Sequence, residues 1–198
     1  MPSLRGFEFV EKIEPWFGYA AAVQQMTLQD VKAGGFKKPL RLADPDSLTK
    51  VIDQQQRLRD HPERYCGYTR DGELVAYMKQ NDWLVGDELP FAPWPRAIVL
   101  RAGRALGRSN STGQWGVLGL VASNHLSRDK RESVLTDLLQ RSFRDSRGRP
   151  RTVNIVIHAH DPLLYIAPRY GFVPVGRPGQ AAGAPGLKQQ RYQRLTSH

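Results

Sequence analysis

Residues His160–Pro174 constrain the fold more than any other stretch, because they encode a short helix that stops at a glycine and turns directly into a strand. Asp161 suits the helix N-cap, and Pro162 suits the first helical position, where a missing N–H costs nothing. Gly171 can adopt the left-handed conformation that ends a helix, and a Phe-Val pair follows as the start of an extended run. The upstream sequence must therefore supply a sheet that this helix and strand can join.

The spacing of apolar residues predicts strands alternating with helices. Period-two and continuous apolar runs predict strands at 7–10, 64–69, 73–79, 115–122, 152–157, from 172 onward and at 187–195. Helical spacing predicts helices at 16–31, at 46–58 and from 134 to the Arg147-Gly148 pair. Asp71-Gly72 suits the tight turn of a hairpin, and the strand at 115–122 is expected to be buried on both faces.

Two segments fall outside this pattern. Residues 82–112 contain three prolines and an apolar run that fits either a strand or a helix, so they are predicted to be an inserted or variable segment. Trp83, Phe91 and Trp94 either pack this segment onto the body or line an acceptor pocket. Residues 176–186 are rich in Gly, Pro and Ala and are predicted to form a flexible loop.

Length and charge narrow the class of protein. A chain of 198 residues fits a single domain, 1–198, and its one cysteine, Cys66, excludes an internal disulfide and a Cys-rich metal site. It has no apolar stretch long enough to cross a bilayer and no signal peptide, so we expect a cytoplasmic protein without a membrane partner or a metal. The net charge of +10 favours an anionic partner, either a phosphorylated cofactor or, less favoured without a nucleic-acid motif, RNA or DNA.

The order of elements, together with the Tyr-Gly-Phe ending at 170–172, resembles the GCN5-related N-acetyltransferase (GNAT) superfamily. The resemblance implies an α/β (α+β) fold, with a central mixed, mostly antiparallel twisted sheet flanked by helices and a splay between the fourth and fifth strands. It also implies acetyl-coenzyme A as co-substrate, with its pantetheine on the fourth strand and its pyrophosphate at the N-terminus of the next helix. Unpaired N–H groups and the helix dipole make such a terminus an anion site.

Matching the family's coenzyme loop to this sequence gives a divergent version of it. The family's arginine or glutamine falls on Leu126, and its two glycines fall on Ser127 and Asp129. The resemblance thus implies coenzyme binding by these residues: Leu120, Val121, Ala122, Leu126, Ser127, Arg128, Asp129, Lys130 and Arg131. Alternatively, Asp129 and Glu132 form a capping box that occupies the same N–H groups.

The candidate catalytic residues lie near the end of the fifth strand. The family's tyrosine, a general acid toward the departing thiolate, falls on Ala167, which leaves Tyr165 and Tyr170 as candidates. His158 and His160, expected on one face of the strand end, are candidates for proton transfer because histidine titrates near neutral pH. Structural roles for all four side chains remain open.

These observations leave three functions in competition. The first is a transferase of the acyl-coenzyme A dependent N-acetyltransferase type, in which a primary amine of an unknown acceptor attacks the thioester directly. The second is a degenerate member of the fold without catalysis that acts as a basic interaction module, as the missing loop glycines suggest. The third is an acetyltransferase that acts on an RNA-linked or protein amine, which the positive charge would attract. Sequence alone does not indicate an oligomeric state.

Overall fold

The computed structural model describes residues 4–32, 38–107, 110–145, 147–181 and 184–196. Twelve helices and strands lie in these ranges, in addition to 3₁₀ turns at Pro62–Arg64 and Ala167–Tyr170. In chain order they are β1 Glu8–Val10, α1 Phe17–Lys32, α2 Pro45–Asp60, β2 Tyr65–Arg70, β3 Glu73–Leu84, α3 Trp94–Ala105, β4 Ser111–Ala122, α4 Arg128–Arg141, β5 Val153–His158, α5 Leu163–Ile166, β6 Val173–Ala181 and β7 Ala184–Arg194.

The strands form one mixed sheet in the order β1-β2-β3-β4-β5-β7-β6. β4 and β5 run parallel, whereas β1–β2, β2–β3, β5–β7 and β6–β7 are antiparallel pairs. The predicted mixed, mostly antiparallel sheet flanked by helices is confirmed. The parallel pair follows from the helical crossover through α4, since parallel neighbours need a long connection.

The β2–β3 hairpin forms where the sequence predicts it. Asp71 and Gly72 have φ angles of 53° and 79°, the left-handed conformation that a two-residue turn of the I′ kind requires at both positions. The turn sets the register that pairs Arg70 with Glu73.

Residues Met1–Gln80 and Gly119–Arg141 form one compact unit, called unit one. Its core joins side chains of both long helices to the strands, namely Ile13, Ala20, Val23, Met26, Val51, Leu58, Tyr65, Leu74, Tyr77 and Val121. The Tyr68 hydroxyl donates to Asp137 Oδ2 at 2.6 Å, and Arg141 Nε donates to the same oxygen at 2.5 Å. The Tyr68–Asp137 bond connects β2 to α4, whereas the Arg141–Asp137 pair lies within α4. Burial, and after it the bond to Asp137, raises the pKa of Tyr68.

Residues Asn81–Leu118 and Ser142–His198 form the second compact unit, unit two. Its largest fully buried side chains include Trp83, Ile155, Ile157 and Leu163. The buried Arg191 guanidinium lies 5.8 Å from the centre of the Trp83 ring, and its Nη1 is 3.3 Å from Glu88 Oε1. This ion pair connects the chain after β3 to β7.

The segment 82–112 contains a helix, α3, at the apolar run that fitted either a strand or a helix. Trp83 and Phe91 are buried, as the packing interpretation expects, whereas Trp94 is exposed. The carbonyl oxygen of Phe91 accepts the N–H of Arg177, which fastens the segment to β6. Whether the segment is an insertion stays a prediction.

The predicted loop at 176–186 is wrong for most of its length. β6 continues to Ala181 and β7 begins at Ala184, and residues 182 and 183 lie outside the described ranges. Gly176 has a φ of 75°, and the register shifts between Val175 and Gly179, so the glycines serve a bulge instead of a loop. A Cβ on Gly179 would lie 2.7 Å from the Pro90 carbonyl oxygen, a close approach that only glycine permits.

Two further boundaries differ from the prediction. α4 ends at Arg141 instead of the Arg147-Gly148 pair, because Asp145 Oδ1 accepts the N–H groups of Arg147 and Arg149 and folds the chain into a turn. β4 is not buried on both faces throughout, since Leu118 is 49% exposed.

Candidate functional site

The N-terminus of α4 is the part of unit one that best fits an anion. The first helical bond runs from the N–H of Arg131 to the carbonyl oxygen of Ser127, so Ser127 is the N-cap residue. The alternative interpretation, a capping box of Asp129 and Glu132, is therefore wrong, because Asp129 lies inside the first turn instead of in front of it. Among the described residues, the N–H groups of Arg128, Asp129 and Lys130 have no protein acceptor.

Arg131 adds a cation to this helix end. Its Nε is inaccessible to solvent and has no hydrogen-bond partner in the described part of the chain. A buried donor without a partner costs about 1–3 kcal/mol, so such a group calls for a missing acceptor. An anion that reached the Arg131 Nε would supply that acceptor. The side chains of Arg128 and Lys130 are exposed and add positive charge to the same turn.

The loop before α4 is held by its own backbone. The Ser123 N–H donates to the Val75 carbonyl at 2.8 Å, and the Ser123 hydroxyl accepts the N–H of His125 at 3.2 Å. Leu126, at the position of the family's arginine or glutamine, is buried and anchors the loop. Only the backbone of Leu126 can therefore face a ligand, whereas the Ser127 side chain is exposed.

The end of β4 supplies the remaining predicted coenzyme residues. Leu120, Val121 and Ala122 are the last three residues of β4 before the loop, and all three are buried. The paired stretch of β4 and β5 ends at Val117 and Ile155, although β4 continues to Ala122. The 49% exposure of Leu118, the next residue along, agrees with this early end of the ladder.

A cavity of about 460 Å³ opens within unit one, a volume typical of small-molecule sites. α1 contributes Tyr19 and Gln25 to its wall, the β2–β3 hairpin contributes Glu73, and the loop after β4 contributes Ser123 and His125. Of the described residues that line the cavity, Glu73 is the one with a carboxylate, so the cavity has an acidic side chain in a chain of net charge +10. The Tyr19 hydroxyl donates to the Gly72 carbonyl and holds α1 to the hairpin.

None of these cavity residues was predicted as functional. His125 and Ser123 directly follow a predicted buried strand, and strand ends commonly carry functional side chains, so that position was the available signal. Tyr19 and Glu73 carried no such signal, because their approach depends on how α1 crosses the hairpin.

The two histidines in unit two have different surroundings. β5 ends at His158, and His160 follows in an exposed turn, so the expectation that strand alternation puts both on one face is wrong. The Nδ1 of His158 is buried without a hydrogen-bond partner among the described residues. Burial lowers the pKa of His158, which keeps its imidazole neutral near pH 7.

The short helix starts later than predicted: α5 begins at Leu163, so Pro162 instead of Asp161 is its N-cap residue, and Gly171 ends the 3₁₀ turn that follows α5. Asp161 Oδ1 accepts the Leu163 N–H at 2.8 Å, and Gly171 has the left-handed φ of 79°. Tyr165 is 72% exposed, whereas the half-buried Tyr170 ring lies 6.4 Å from that of Phe143. Ala167, where the family's tyrosine falls, is completely buried and has no group that could donate a proton.

The predicted site residues therefore divide by location. The nine coenzyme candidates from Leu120 to Arg131 all lie in unit one, next to the cavity loop. The four catalytic candidates, Tyr165, Tyr170, His158 and His160, all lie in unit two.

Several solved structures that resemble this chain over nearly its whole length are acetyltransferases. A GNAT-family acetyltransferase from Streptococcus agalactiae 2603 has a TM-score of 0.59 at 13% identity, covering 99% of each chain. An N-acetyltransferase from Staphylococcus aureus Mu50 has a TM-score of 0.58 at 8% identity, covering 94% of this chain and 99% of that one. PaiA N-acetyltransferase from Thermoplasma acidophilum, in complex with coenzyme A, has a TM-score of 0.54 at 8% identity, covering 96% of this chain and 99% of that one. No family profile and no curated protein matches the sequence, so the likeness is one of fold.

Proposed function

We propose that this chain, which has the fold of the GCN5-related N-acetyltransferases, is an acyl-coenzyme A dependent N-acetyltransferase that acetylates a primary amine. The observation that carries the proposal is that the α4 N-terminus has N–H groups without an acceptor among the described residues, and that Arg131 has a buried Nε without a partner there. All of these groups are hydrogen-bond donors, and a pyrophosphate offers several acceptor oxygens in one group.

The coenzyme would be held by unit one along β4 and α4. The N–H groups of Arg128, Asp129 and Lys130, with the Arg131 guanidinium, would bind the pyrophosphate. The backbone of Leu120–Ala122 would pair with the amide groups of the pantetheine arm, as strand ends pair with an extended ligand. When bound, acetyl-coenzyme A supplies the activated acetyl group. In this proposal, positively charged side chains contribute the phosphate binding that the glycines of the loop provide in the family.

The cavity of unit one is the proposed acceptor site. Its negative lining residue, Glu73, favours an ammonium group over an anion. The exposed His125 on its wall could take up a proton as the amine loses it. Apolar and aromatic lining from Tyr19 and Met26 suits a carbon chain or ring that carries the amine.

Among the four catalytic candidates, all of which lie in unit two, His158 has the surroundings that best suit proton transfer. Because burial lowers its pKa, the imidazole is in the basic form at neutral pH. Tyr165 is too exposed to hold a fixed position, and Tyr170 is partly engaged in ring packing, so neither is a strong candidate for the acid. His160, exposed in a turn, remains a weaker candidate for the base.

Titration calorimetry with acetyl-coenzyme A tests the binding half of this proposal. We expect the purified protein to bind it, and the double variant Arg128→Glu/Arg131→Glu to lose that binding, because two like charges would face the phosphates. Arg59→Glu, on an exposed position of α2, is the matched control and should bind normally. Equal binding by the double variant and the control would contradict the proposal.

Release of the coenzyme A thiol from acetyl-coenzyme A in the presence of a panel of primary amines tests the catalytic half of the proposal. Turnover with at least one amine, reduced in Glu73→Gln, is the expected result. The second candidate, a degenerate member of the fold that acts as a basic interaction module without catalysis, is favoured by the buried methyl of Ala167 where the family's tyrosine falls. Absence of both coenzyme binding and turnover on any amine would support that candidate instead.

A further inference from the structure

The helix α3 carries its apolar face outward. At about 100° per residue, Trp94, Ile98, Val99, Ala102, Ala105 and Leu106 fall within an arc of about 140°, called here the α3 stripe. All six are exposed, with Trp94 and Val99 at 70% and Leu106 at 72%. Ala97 is the one buried residue of the helix. A surface helix normally turns such a face toward the core, so the α3 stripe needs a cover from outside the described chain.

The opposite side of α3 explains why the stripe cannot simply turn inward. Arg96 Nη2 lies 2.6 Å from Glu88 Oε2, which fixes the start of the helix. The Arg104 side chain packs its carbons against Gly86, where an added Cβ would lie 3.5 Å from the Arg104 Cδ. These contacts orient the buried edge of α3 and leave the stripe exposed.

Charge indicates what the cover must be. α3 contains three arginines, Arg96, Arg101 and Arg104, and no acidic residue. Arg101 borders the stripe beside Trp94, whereas Arg96 is paired with Glu88 and Arg104 packs against Gly86. The occupant must therefore be apolar at its centre and anionic beside Arg101.

A second copy of this chain that docked through its own α3 does not meet that requirement, since the arginines of the two helices would face each other and repel. A nucleic acid would satisfy the arginines and leave the stripe in water. An anionic lipid bilayer meets both requirements, because its acyl chains can cover the stripe and its negatively charged headgroups, directly above them, can pair with the arginine. A tryptophan at the first helical residue also suits the interface between headgroups and acyl chains.

We propose that α3 binds flat on the surface of an anionic lipid bilayer, with the α3 stripe among the upper acyl chains and Arg101 at the phosphates. The helix has 12 residues, about 18 Å, which is too short to cross a hydrocarbon core of about 30 Å. No helix in the described ranges is long and apolar enough to span a membrane. The sequence-based expectation of no membrane partner considered only spanning segments and signal peptides, and surface attachment is a different mode.

Co-sedimentation with vesicles tests the proposal. The full chain is expected to sediment with vesicles that contain phosphatidylglycerol and to stay in solution with vesicles of phosphatidylcholine alone. Val99→Asp should lower the partition coefficient roughly tenfold or more, because it buries a charge among acyl chains. Arg101→Glu should lower it by a smaller factor that vanishes at high salt.

Ile52→Asp is the matched control for Val99→Asp. Like Val99, Ile52 is an exposed β-branched apolar residue on a helix, but it lies on α2, outside the α3 stripe. Thermal melting of each variant checks that the exposed substitutions leave the fold intact. Failure of the unaltered protein to bind phosphatidylglycerol vesicles would overturn the proposal, even if it bound an acidic polypeptide such as polyglutamate. Equal losses in Ile52→Asp and Val99→Asp would overturn it as well.

Discussion

Replacing Arg131 with methionine should change stability and coenzyme binding in opposite directions. The Arg131 Nε is buried without a partner, so the ligand-free protein carries a donor that costs about 1–3 kcal/mol. Methionine keeps an unbranched apolar stem and removes that donor. The free energy of unfolding of the ligand-free protein should therefore rise by about 1 kcal/mol, which corresponds to roughly 2–4 °C in Tm for a chain of this size.

The same substitution should weaken coenzyme A binding. A charge-assisted hydrogen bond to a phosphate oxygen contributes about 1.5–3 kcal/mol, so its loss should raise Kd by about 10- to 150-fold. Calorimetry gives the Kd, and thermal melting with and without the ligand gives both stabilities. Because a ligand that binds only the folded state raises Tm, the ligand-induced shift should shrink while the ligand-free Tm rises.

A rise in ligand-free stability together with a loss of coenzyme affinity distinguishes a binding role of Arg131 from a packing role. If Arg131 were structural, Arg131→Met would lower the ligand-free Tm and leave Kd unchanged, and that result would refute the reasoning. Arg131→Lys should bind with intermediate affinity, because it keeps the charge without the planar fork of donors. Arg59→Met, at an exposed site of α2, should change neither quantity.

Three other substitutions test particular contacts of unit two. Glu88→Gln leaves the Arg191 guanidinium, 8% exposed, without its ion pair, and should lower the unfolding free energy by about 3 kcal/mol in urea titration. Gly179→Ala should lower the same free energy by about 1–3 kcal/mol, because the new Cβ meets the Pro90 carbonyl at 2.7 Å. Burial lowers the pKa of His158, so the unfolded chain takes up a proton that the folded one does not as pH falls below about 6.5. The loss of stability between about pH 7.5 and about pH 5.5 should therefore be smaller in His158→Gln than in the unaltered protein.

Matched substitutions control these measurements. Asp53→Asn removes an exposed carboxylate from α2 and should leave stability within about 0.5 kcal/mol. Gly103→Ala adds a Cβ inside α3 that meets no atom within 4 Å, and it should stabilise by about 0.5–1 kcal/mol. If Gly179→Ala behaved like Gly103→Ala, close approach would not be the reason for glycine in β6.

Local backbone chemistry made much of the fold predictable. The Asp71-Gly72 turn and the end of the short helix at Gly171 depend on φ angles that few residues adopt, so neighbouring residues suffice to identify them. The strands at β4 and β5 were equally clear from their apolar runs, although β4 is buried on both faces over only part of its length.

Predictions from composition failed where distant segments meet. The glycine- and proline-rich residues after Val175 suggested a loop, but antiparallel pairing with β7 and the approach of Pro90 keep them in a strand. At the candidate site, the position of the loop between β4 and α4 could be predicted from the order of elements along the chain, and coenzyme binding by its residues stays a prediction. The N-cap at Ser127 could not, because Ser127 and Asp129 are both good cap residues, and only the observed helical bond distinguishes them.

By itself, the sequence determined the order of helices and strands, the turns and the positive charge, since all of these depend on near neighbours or on composition. The tertiary structure alone decided which polar groups lack partners and which apolar ones lack cover. The Arg131 Nε is an unsatisfied donor only because the surrounding packing excludes water from it, and the α3 stripe is exposed only because Glu88 and Gly86 orient the helix. Burial and partnership depend on contacts between residues far apart in the chain, and so the candidate sites became visible only in the folded protein.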